Sequence, residues 1–346
     1  MDEFPWLVAD IGGTNARFGL VHDATLQVRQ VQQLRGADHS GPAAAARAYL
    51  AQQALEMAQR GEVLRAPRLA AFAVATAISG DRVELTNSPW SFSRQAVAAD
   101  LALDALLVLN DFEALALSLP TLKAAQVRAH RAAPTPQGAL AVVGPGTGLG
   151  VAGMIQTAGG WQPVPGEGGH VTLAPGDDFE SELLAVVRRQ FEHVSAERLL
   201  SGIGLPTLHQ AVAQVTGASA PPLNAAQISD QAVAGSDPVC VRTVDTFCAL
   251  LGSVAGNLAL TLGSRGGVYI GGGIVPRWGE LFFRSRFRER FEAKGRFRAY
   301  LEAIPTALIT DTQVALSGAA VAIERHLCDF TAAKGSPCAS ERTPPR

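Results

Sequence analysis

The sequence lacks most of the features that mark membrane, secreted or zinc-binding proteins. Its 346 residues include four cysteines, none of them in a C-x-x-C pair, so no zinc site is indicated. No stretch approaches about 18 uninterrupted apolar residues, and no membrane span is expected. The start of the chain, MDEFPWLVAD, has neither the basic nor the apolar segment of a signal peptide. We therefore expect a cytoplasmic protein without membrane association.

Basic residues are also not in excess. The chain has 29 Lys and Arg against 31 Asp and Glu, a net charge of −2, so we expect no nucleic-acid partner. Its lysines are Lys123, Lys294 and Lys334, and none adjoins a glycine turn in the way a P-loop lysine does. A phosphate group bound here would therefore need backbone N–H groups, hydroxyls, Mg²⁺ or arginine.

Glycine, in contrast, is abundant, with 35 residues, and it is concentrated beside β-prone stretches. LVADIGGTNARFGLV and ALAVVGPGTGLGVAGMI share one pattern: a strand, a glycine turn containing threonine, and a returning strand. We interpret them as two equivalent hairpins, one in each half of the chain. The glycines supply backbone freedom at the turns rather than within the strands.

Apolar periodicity predicts an α/β protein with mixed sheets, and the length favours two domains. The predicted helices are 43–60, 112–119, 179–192, 239–262, 279–293 and 314–328. The predicted strands are 6–11, 16–21, 69–76, 105–109, 139–143, 150–155, 267–270 and 306–310. The segments 130–138 and 216–238 have the composition of surface loops, and the tail after Ala332 has that of a disordered segment.

The first glycine turn combines a carboxylate with possible phosphate-binding groups. Asp10 ends a predicted strand directly before Gly12-Gly13-Thr14. Such a carboxylate can hold hydrated Mg²⁺, while the turn's N–H groups and the Thr14 hydroxyl bind phosphate. The alternative is a tight hairpin in which Asp10 only caps the turn.

The second candidate phosphate turn contains Gly146, Thr147 and Gly148. A dinucleotide-binding fingerprint would require a helix to begin at these glycines. The following VAGMI predicts a strand, so that interpretation is weak. A third glycine run, at 271–273, could pack against an adenine ring or could simply allow a helix and a strand to approach closely.

Asn110 and Asp111 stand between the strand ALLVL and the helical pattern FEALALSL. A carboxylate at such a junction projects from the carboxyl edge of a sheet, where α/β proteins bind ligands. Asp111 could orient an attacking hydroxyl and accept its proton, with Asn110 on a neighbouring hydroxyl. The alternative is that Asp111 is a helix N-cap, and this segment alone does not decide between them.

Two further segments could bind a polyhydroxyl substrate. Glu167 and His170 lie three residues apart in a glycine-rich loop, a pair suited to vicinal hydroxyls. The alternative is a structural histidine beside a solvated glutamate. Glu197 could be a third sugar carboxylate, or an exposed helix residue paired with Arg198.

Together these motifs resemble the bacterial glucokinase family, within the sugar kinase/Hsp70/actin superfamily. The matching stretches include VADIGGTNARFGL, LTNSPWSFS, LLVLNDFEALALSLP, VVGPGTGLGVAG, PGEGGHVTLAP, HVSAERLLSG, GNLALTLGSRGGVYIGGGIVPR and KGRF. The resemblance implies an α/β, two-lobed, actin-like ATPase (ribonuclease H-like) fold with mixed sheets and an active-site cleft between the lobes. The expected small lobe is 1–115 plus 314–332, the large lobe 116–313, and the disordered tail 333–346.

The resemblance also implies residue roles, Mg-ATP as the phosphoryl donor and a homodimer. Asp111 matches the catalytic base, and the glucose ligands are Asn87, Asn110, Asp111, Glu167, His170 and Glu197. The ATP-binding residues are Ala9, Asp10, Ile11, Gly12, Gly13, Thr14, Gly146, Thr147, Gly148, Gly272 and Gly273. Mg²⁺ is expected at Asp10, through water.

The expected reaction is the transfer of a phosphoryl group from ATP to the 6-hydroxyl of D-glucose. Two departures from the family pattern are mild: Ala9 replaces a frequent glycine, and Ala77 stands where proline is common. The segment VTLAPGDDFE after His170 has no cysteine, which indicates the zinc-free branch. The alternatives are a kinase for another hexose and a non-catalytic sugar-sensing regulator. Related regulators carry an N-terminal helix-turn-helix domain, for which this chain has no room before its first motif.

Overall fold

The computed structural model describes residues 4–76, 78–85 and 90–332. The strands are β1 (Trp6–Ile11), β2 (Asn15–Val21), β3 (Val28–Arg35), β4 (Leu69–Val74), β5 (Arg82–Glu84), β6 (Ser91–Ser93), β7 (Ala105–Asn110), β8 (Val127–Ala129), β9 (Ala139–Pro145), β10 (Leu149–Thr157), β11 (Gly160–Gly166), β12 (Gly267–Ile270) and β13 (Thr306–Ile309). The α-helices are α1 (Pro42–Ala58), α2 (Arg94–Asp100), α3 (Asp111–Ser118), α4 (Asp178–Val187), α5 (Ala196–Leu199), α6 (Gly204–Thr216), α7 (Ala225–Ala234), α8 (Pro238–Leu262), α9 (Glu280–Arg284), α10 (Phe287–Glu292), α11 (Arg298–Glu302) and α12 (Val314–Ala332). The chain forms two compact units, residues 1–118 with 313–346 and residues 119–312. The segment 333–346, where we expect disorder, lies outside the described residues.

The first unit is built on a mixed sheet with the strand order β3-β2-β1-β4-β7. β1, β2 and β3 form an antiparallel meander, whereas β1, β4 and β7 run parallel. The residues of β4 are all buried, as expected for a strand covered on both faces. The carboxyl ends of β1, β4 and β7 therefore meet at one edge of this sheet.

Helix α3, which begins at that edge, is held against α12. Gly318 of α12 lies so close to the Ala114 carbonyl of α3 that a Cβ there would overlap it. A small residue at the crossing lets two helix backbones approach beyond the usual distance. The return of the chain after residue 312 thus fixes the helix that follows Asn110.

The second unit repeats the same plan on the sheet β11-β10-β9-β12-β13-β8. β9, β10 and β11 form the antiparallel meander, and β9, β12 and β13 run parallel. Strands β9, β10 and β11 thus correspond to β1, β2 and β3, and β12 and β13 correspond to β4 and β7. The equivalence inferred from two glycine-containing hairpins extends to five strands of each sheet.

Helix α8 is the central helix of the second unit. It is long and apolar enough to cross a membrane by length and composition, but 78% of its most apolar window is buried inside the protein. It packs in a core that includes Phe247, Trp278, Phe287 and Phe291. Burial of this kind accounts for its apolar composition without a bilayer.

Most predicted elements are confirmed, but the helix predicted at 279–293 is wrong. The chain instead forms two short helices, α9 and α10, separated by an extended Ser285. The Arg286 N–H donates to Asp245 Oδ1 of α8 at 3.1 Å, so a side chain from another helix satisfies the backbone at the break. The predicted helix 179–192 also ends early, at Val187.

The loop predicted at 216–238 is also wrong, because it contains α7. Asn224 and Gln227 form a capping box at its start, and such polar residues give a helix start the composition of a loop. Ile228 is fully buried. Strands β3 and β11 were missed because each lies beside β2 or β10 with a mixture of exposed and half-buried residues.

Candidate active site

The first glycine turn connects β1 to β2 and exposes Thr14 to solvent. The Gly12 N–H donates to the Asn15 carbonyl at 3.0 Å, and the Gly36 N–H donates to the Thr14 carbonyl at 2.8 Å. A Cβ at Gly12 would meet its nearest neighbour at 3.6 Å, an ordinary contact. Packing therefore does not require a glycine at position 12.

Asp10 lies on β1 directly opposite Arg17 on β2. Arg17 Nη1 donates to Asp10 Oδ2 at 3.3 Å, and Arg17 Nε donates to Gln33 at 3.2 Å. Burial raises the pKa of Asp10, while the Arg17 guanidinium lowers it. Sequence reasoning missed Arg17, although the period-2 pattern of the hairpin could have indicated it.

The side chains of Asn110 and Asp111 both accept hydrogen bonds from backbone N–H groups at the start of α3. Asn110 Oδ1 accepts from the N–H groups of Phe112 at 2.9 Å and Glu113 at 3.4 Å, as an N-cap side chain does. Asp111 Oδ1 also accepts from the Phe112 N–H, at 2.9 Å. Asn110 is thus the residue that caps the helix with two N–H groups, and Asp111 shares one of them.

The amide of Asn110 has a second contact that bears on its predicted sugar contact. Its Nδ2 donates to the Thr76 carbonyl at 3.2 Å. A primary amide has two N–H donors, so one N–H remains for a ligand. Ala77 and Asn87, from the predicted sugar-side region, lie outside the described residues.

The register of the sheet brings these groups of the first unit to one edge. Ile11 pairs with Val74, and Val74 pairs with Asn110. Because two strand spacings separate β1 from β7, the first turn and the start of α3 are about 10 Å apart along this edge. Such an edge is where open α/β sheets bind ligands.

The second glycine turn connects β9 to β10, and packing is tight at Gly148 but open at Gly146, where an added Cβ has no neighbour within 4 Å. Glu197 Oε2 accepts from the Leu149 N–H at 2.8 Å, and a Cβ at Gly148 would overlap that same oxygen. The Gly202 N–H donates to the Gly146 carbonyl at 2.8 Å. Thr147, like Thr14, is exposed. A carboxylate from α5 thus packs against this turn and accepts a hydrogen bond from the residue directly after it, while Thr147 faces solvent.

Glu167, His170 and Glu197 come together in the second unit. His170 Nε2 lies 4.0 Å from Glu167 Oε2, and His170 Nδ1 lies 3.9 Å from Glu197 Oε1. The imidazole therefore sits between two carboxylates. Glu167 and His170 are exposed and Glu197 is half-buried, so all three can reach a ligand from solvent.

Two further observations concern the neighbours of these three side chains. Among the described residues Arg198 forms no ion pair with Glu197, so the alternative pairing is wrong; its guanidinium instead lies 4.3 Å from the centre of the Phe191 ring. The glycines before His170 serve packing, since a Cβ at Gly169 would overlap the Leu149 carbonyl. The glycine run thus brings His170 close to the start of β10.

The third glycine run follows β12 at the same sheet edge. Gly272 has φ +76°, and a Cβ there would overlap the Pro145 carbonyl, so the backbone itself requires glycine. Gly273 has no neighbour within 4 Å of an added Cβ. Packing thus explains Gly272 without any ligand, while Gly273 stays open to one.

Within the described residues, no cluster of three or more His, Cys, Asp or Glu side chains could hold a metal ion. Mg²⁺ does not require such a cluster, because it commonly keeps several waters and takes one or two carboxylates plus substrate phosphates. Asp10 fits this pattern as a single carboxylate beside an open glycine turn, with Arg17 as a second cation on its Oδ2.

The chain is similar to known proteins over nearly its whole length. The family model described as "Glucokinase" matches residues 7–326. A glucokinase of Aromatoleum aromaticum is 48% identical over 334 residues, which covers 95% of this chain and 98% of that protein. The chain belongs to the glucokinase family.

Solved structures agree with this family assignment. A glucokinase from an Antarctic psychrotroph has a TM-score of 0.82 at 39% identity, covering 93% of this chain and 100% of that one. The fold is shared more widely: a ROK family glucokinase from Streptomyces griseus, in complex with glucose and AMPPNP, has a TM-score of 0.60 at 22% identity and covers 92% and 98%. The glucokinase-family chain described here thus has the actin-like ATPase fold of sugar kinases.

Proposed function

We propose that this protein is a glucokinase that transfers the γ-phosphoryl group of ATP to the 6-hydroxyl of D-glucose. The observation that carries the proposal is the family match over residues 7–326, which includes every predicted site residue. Relatives that align with this chain over nearly their whole length bear the name glucokinase. The groups found at the edges of both sheets are of the types that sugar phosphorylation requires.

Asp111 would orient the 6-hydroxyl and accept its proton as the oxygen attacks phosphorus. Its position at the carboxyl end of β7 suits this role. The capping by Asn110 supports it further, because the need for an N-cap does not explain an acidic residue at position 111. The remaining N–H of the Asn110 amide would donate to a neighbouring sugar hydroxyl.

The glycine turns would serve the nucleotide. In the first unit, Ala9–Thr14 would approach the phosphates with backbone N–H groups and the Thr14 hydroxyl, and Arg17 would add positive charge. In the second unit, Gly146, Thr147 and Gly148 would do the same, with Gly272 and Gly273 beside the nucleoside. Mg²⁺, held by Asp10 through water, would offset the charge of the phosphate oxygens.

In the second unit, Glu167, His170 and Glu197 would recognise the sugar. One Glu197 oxygen is engaged by Leu149, so the other, Oε1, would accept from a sugar hydroxyl. A carboxylate–imidazole–carboxylate row offers acceptors and a donor at spacings suited to adjacent hydroxyls. Asn87 is assigned to the sugar on family resemblance alone.

A coupled assay with a panel of hexoses and phosphoryl donors tests the proposal. We expect kcat/KM to be highest for glucose with Mg-ATP, and EDTA to abolish turnover. If kcat/KM is higher for mannose or fructose than for glucose, that hexose is the preferred substrate and the assignment of glucose is wrong. An absence of turnover with every hexose, while glucose binding persists, would favour the sugar-sensing regulator.

We further propose a cytoplasmic homodimer with the lobes 1–115 plus 314–332 and 116–313. The support is the family resemblance, together with the division of the chain by its internal contacts. Light scattering coupled to size-exclusion chromatography tests the oligomeric state. A mass near 36.1 kDa would show a monomer and contradict the dimer.

A further inference from the structure

A buried ion cluster lies in the second unit, apart from the groups assigned to substrates. Arg290 of α10 is 8% exposed and Glu180 of α4 is 0% exposed. Arg290 Nη2 donates to Glu180 Oε2 at 2.7 Å, and Arg290 Nη1 donates to Asp177 Oδ2 at 3.2 Å. Charges are buried in this way only when partners compensate them.

This cluster contacts the backbone at Gly176. The Gly176 N–H donates to Glu180 Oε2 at 2.6 Å, the same oxygen that accepts from Arg290. A Cβ at Gly176 would overlap the Arg290 guanidinium. The guanidinium therefore lies directly on this glycine, and Glu180 joins the two through one oxygen.

Gly176 lies three residues after Leu173, at the far end of a short segment that begins directly after His170. Between them, the Leu173 N–H donates to the Val194 carbonyl at 3.0 Å, and the Ala196 N–H donates to the Val171 carbonyl at 2.9 Å. His170 immediately precedes one of these paired segments, and Glu197 immediately follows the other. Fixing Gly176 thus restrains the chain three residues beyond the paired backbone that places both side chains.

Stability alone does not account for this arrangement. A buried ion pair is often no more stabilising than apolar residues of similar volume, because desolvation of the charges offsets their attraction. The surrounding core is rich in Phe and Leu and could have accommodated apolar side chains here. What the charged groups add is a directional anchor for the backbone of Gly176.

We propose that Arg290 and Glu180 are positioning residues for sugar binding, which act through Gly176 on His170 and Glu197. This inference rests on the proposed function, because it concerns the side chains assigned to glucose. It assigns no contact between either residue and the substrate.

Two double variants separate positioning from stability. Arg290→Met with Glu180→Leu removes both charges and the acceptor for Gly176. Arg290→Met with Glu180→Gln also removes both charges but keeps an oxygen that can accept from Gly176. Neither leaves an uncompensated charge of the Arg290–Glu180 pair.

We expect the Leu double variant to raise the KM for glucose about 10-fold, because small displacements of substrate-positioning groups have large effects. The KM for ATP should stay within about twofold, and amide hydrogen exchange at 168–176 should accelerate. The Gln double variant should keep a KM for glucose within about threefold of the wild type.

A single-methyl variant covers the case in which the double variants do not fold. Gly176→Ala keeps every charged group but displaces the guanidinium, and should also raise the KM for glucose selectively. Asp245→Asn is the control, because it weakens the pair with Arg286 at 2.7 Å, which joins the cluster at Asp177, and leaves the contacts of Gly176 in place. Its KM for glucose should equal that of the wild type.

The proposal is overturned if the Leu variant and Gly176→Ala both keep the wild-type KM for glucose, or raise both KM values equally. Glu167→Ala, measured in parallel, distinguishes a failure of the positioning role from a failure of the sugar-site assignment. If Glu167→Ala does not raise the KM for glucose, the sugar-site assignment itself fails. If it does while the Gly176 variants do not, only the positioning role is lost.

Discussion

The two glycine turns occupy equivalent places in two sheets of the same strand order, yet they obtain their carboxylates differently. In the first unit Asp10 lies on the strand that enters the turn and pairs with Arg17 across the hairpin. In the second unit the corresponding position is Gly144, and Glu197 of α5 supplies the carboxylate to Leu149. The same backbone plan can thus be completed locally or from a distant helix.

This difference has a consequence for packing. The first turn has ordinary contacts around Gly12, whereas the second is closely backed by Glu197 at Gly148. The second turn is therefore coupled to the residues assigned to the sugar, since Glu197 also approaches His170. The first turn instead shares its sheet edge with Asp111, the proposed base.

The largest effect is expected at Asp111. Asp111→Asn should lower kcat by about 10²–10⁴-fold, because the proton of the attacking hydroxyl loses its acceptor. The melting temperature should change little, since Asn110 caps α3. Steady-state kinetics and thermal unfolding measure the two quantities. Glu113→Gln, on the same helical turn, is the matched control and should keep kcat within about twofold.

A reversed pattern would contradict the role of Asp111. If Asp111→Asn lowers the melting temperature and leaves kcat intact, then Asp111 is a structural residue at the start of the helix, and the first unit has no assigned base.

The comparison of the two turns is tested by the same substitution in each. Gly148→Ala should lower the free energy of unfolding by about 2 kcal/mol, because the added methyl displaces Glu197. Gly12→Ala should change it by less than about 1 kcal/mol, since its Cβ meets only an ordinary contact. Urea titration measures both. Equal losses would show that the two turns are not packed differently.

Two substitutions at Glu197 separate the effect of its hydrogen bond with Leu149 from the effect of its negative charge. Glu197→Ala should destabilise the protein by about 1–3 kcal/mol, because the Leu149 N–H loses its acceptor. Glu197→Gln keeps an acceptor oxygen, so it should fold almost as stably while still raising the KM for glucose. Chemical denaturation and kinetics of the two variants check this. Identical unfolding free energies would mean that the Leu149 contact contributes nothing.

The units are also expected to differ in their response to acid. In the second unit, burial among Phe282, Phe283 and Phe287, with nearby arginines, lowers the pKa of His130 from 6.5 to about 4. Between those values the unfolded chain binds a proton that the folded chain does not, so stability falls as pH falls. In the first unit, burial raises the pKa of Asp10, which acts in the opposite direction.

We expect His130 to remove about 2 kcal/mol of unfolding free energy as the pH falls from 7 to 4. His130→Gln should abolish that part of the slope. His193→Gln, at an exposed histidine, is the control and should retain it. Urea titrations at a series of pH values give the measurement, and an unchanged slope in His130→Gln would contradict the assignment.

Much of the site could be predicted because its signals are local. The strand–glycine–strand pattern located both hairpins, and a strand ending at Asn110-Asp111 before a helical pattern located the proposed base. Each of these depends on neighbours within about ten residues, where backbone propensity and side-chain alternation act directly. The break at Ser285 was not predictable in this way, because Asp245 of another helix satisfies the backbone there.

The sequence by itself thus determined the α/β class, the two equivalent hairpins and the place of Asp111 after its strand. Only the tertiary structure decided that Asn110 is the cap, that Glu197 supports the second turn, and that Arg290 lies on Gly176. The physical reason is range. Hydrogen bonds across 48 or 110 positions depend on which surfaces the packed core brings together, and no local pattern encodes that choice.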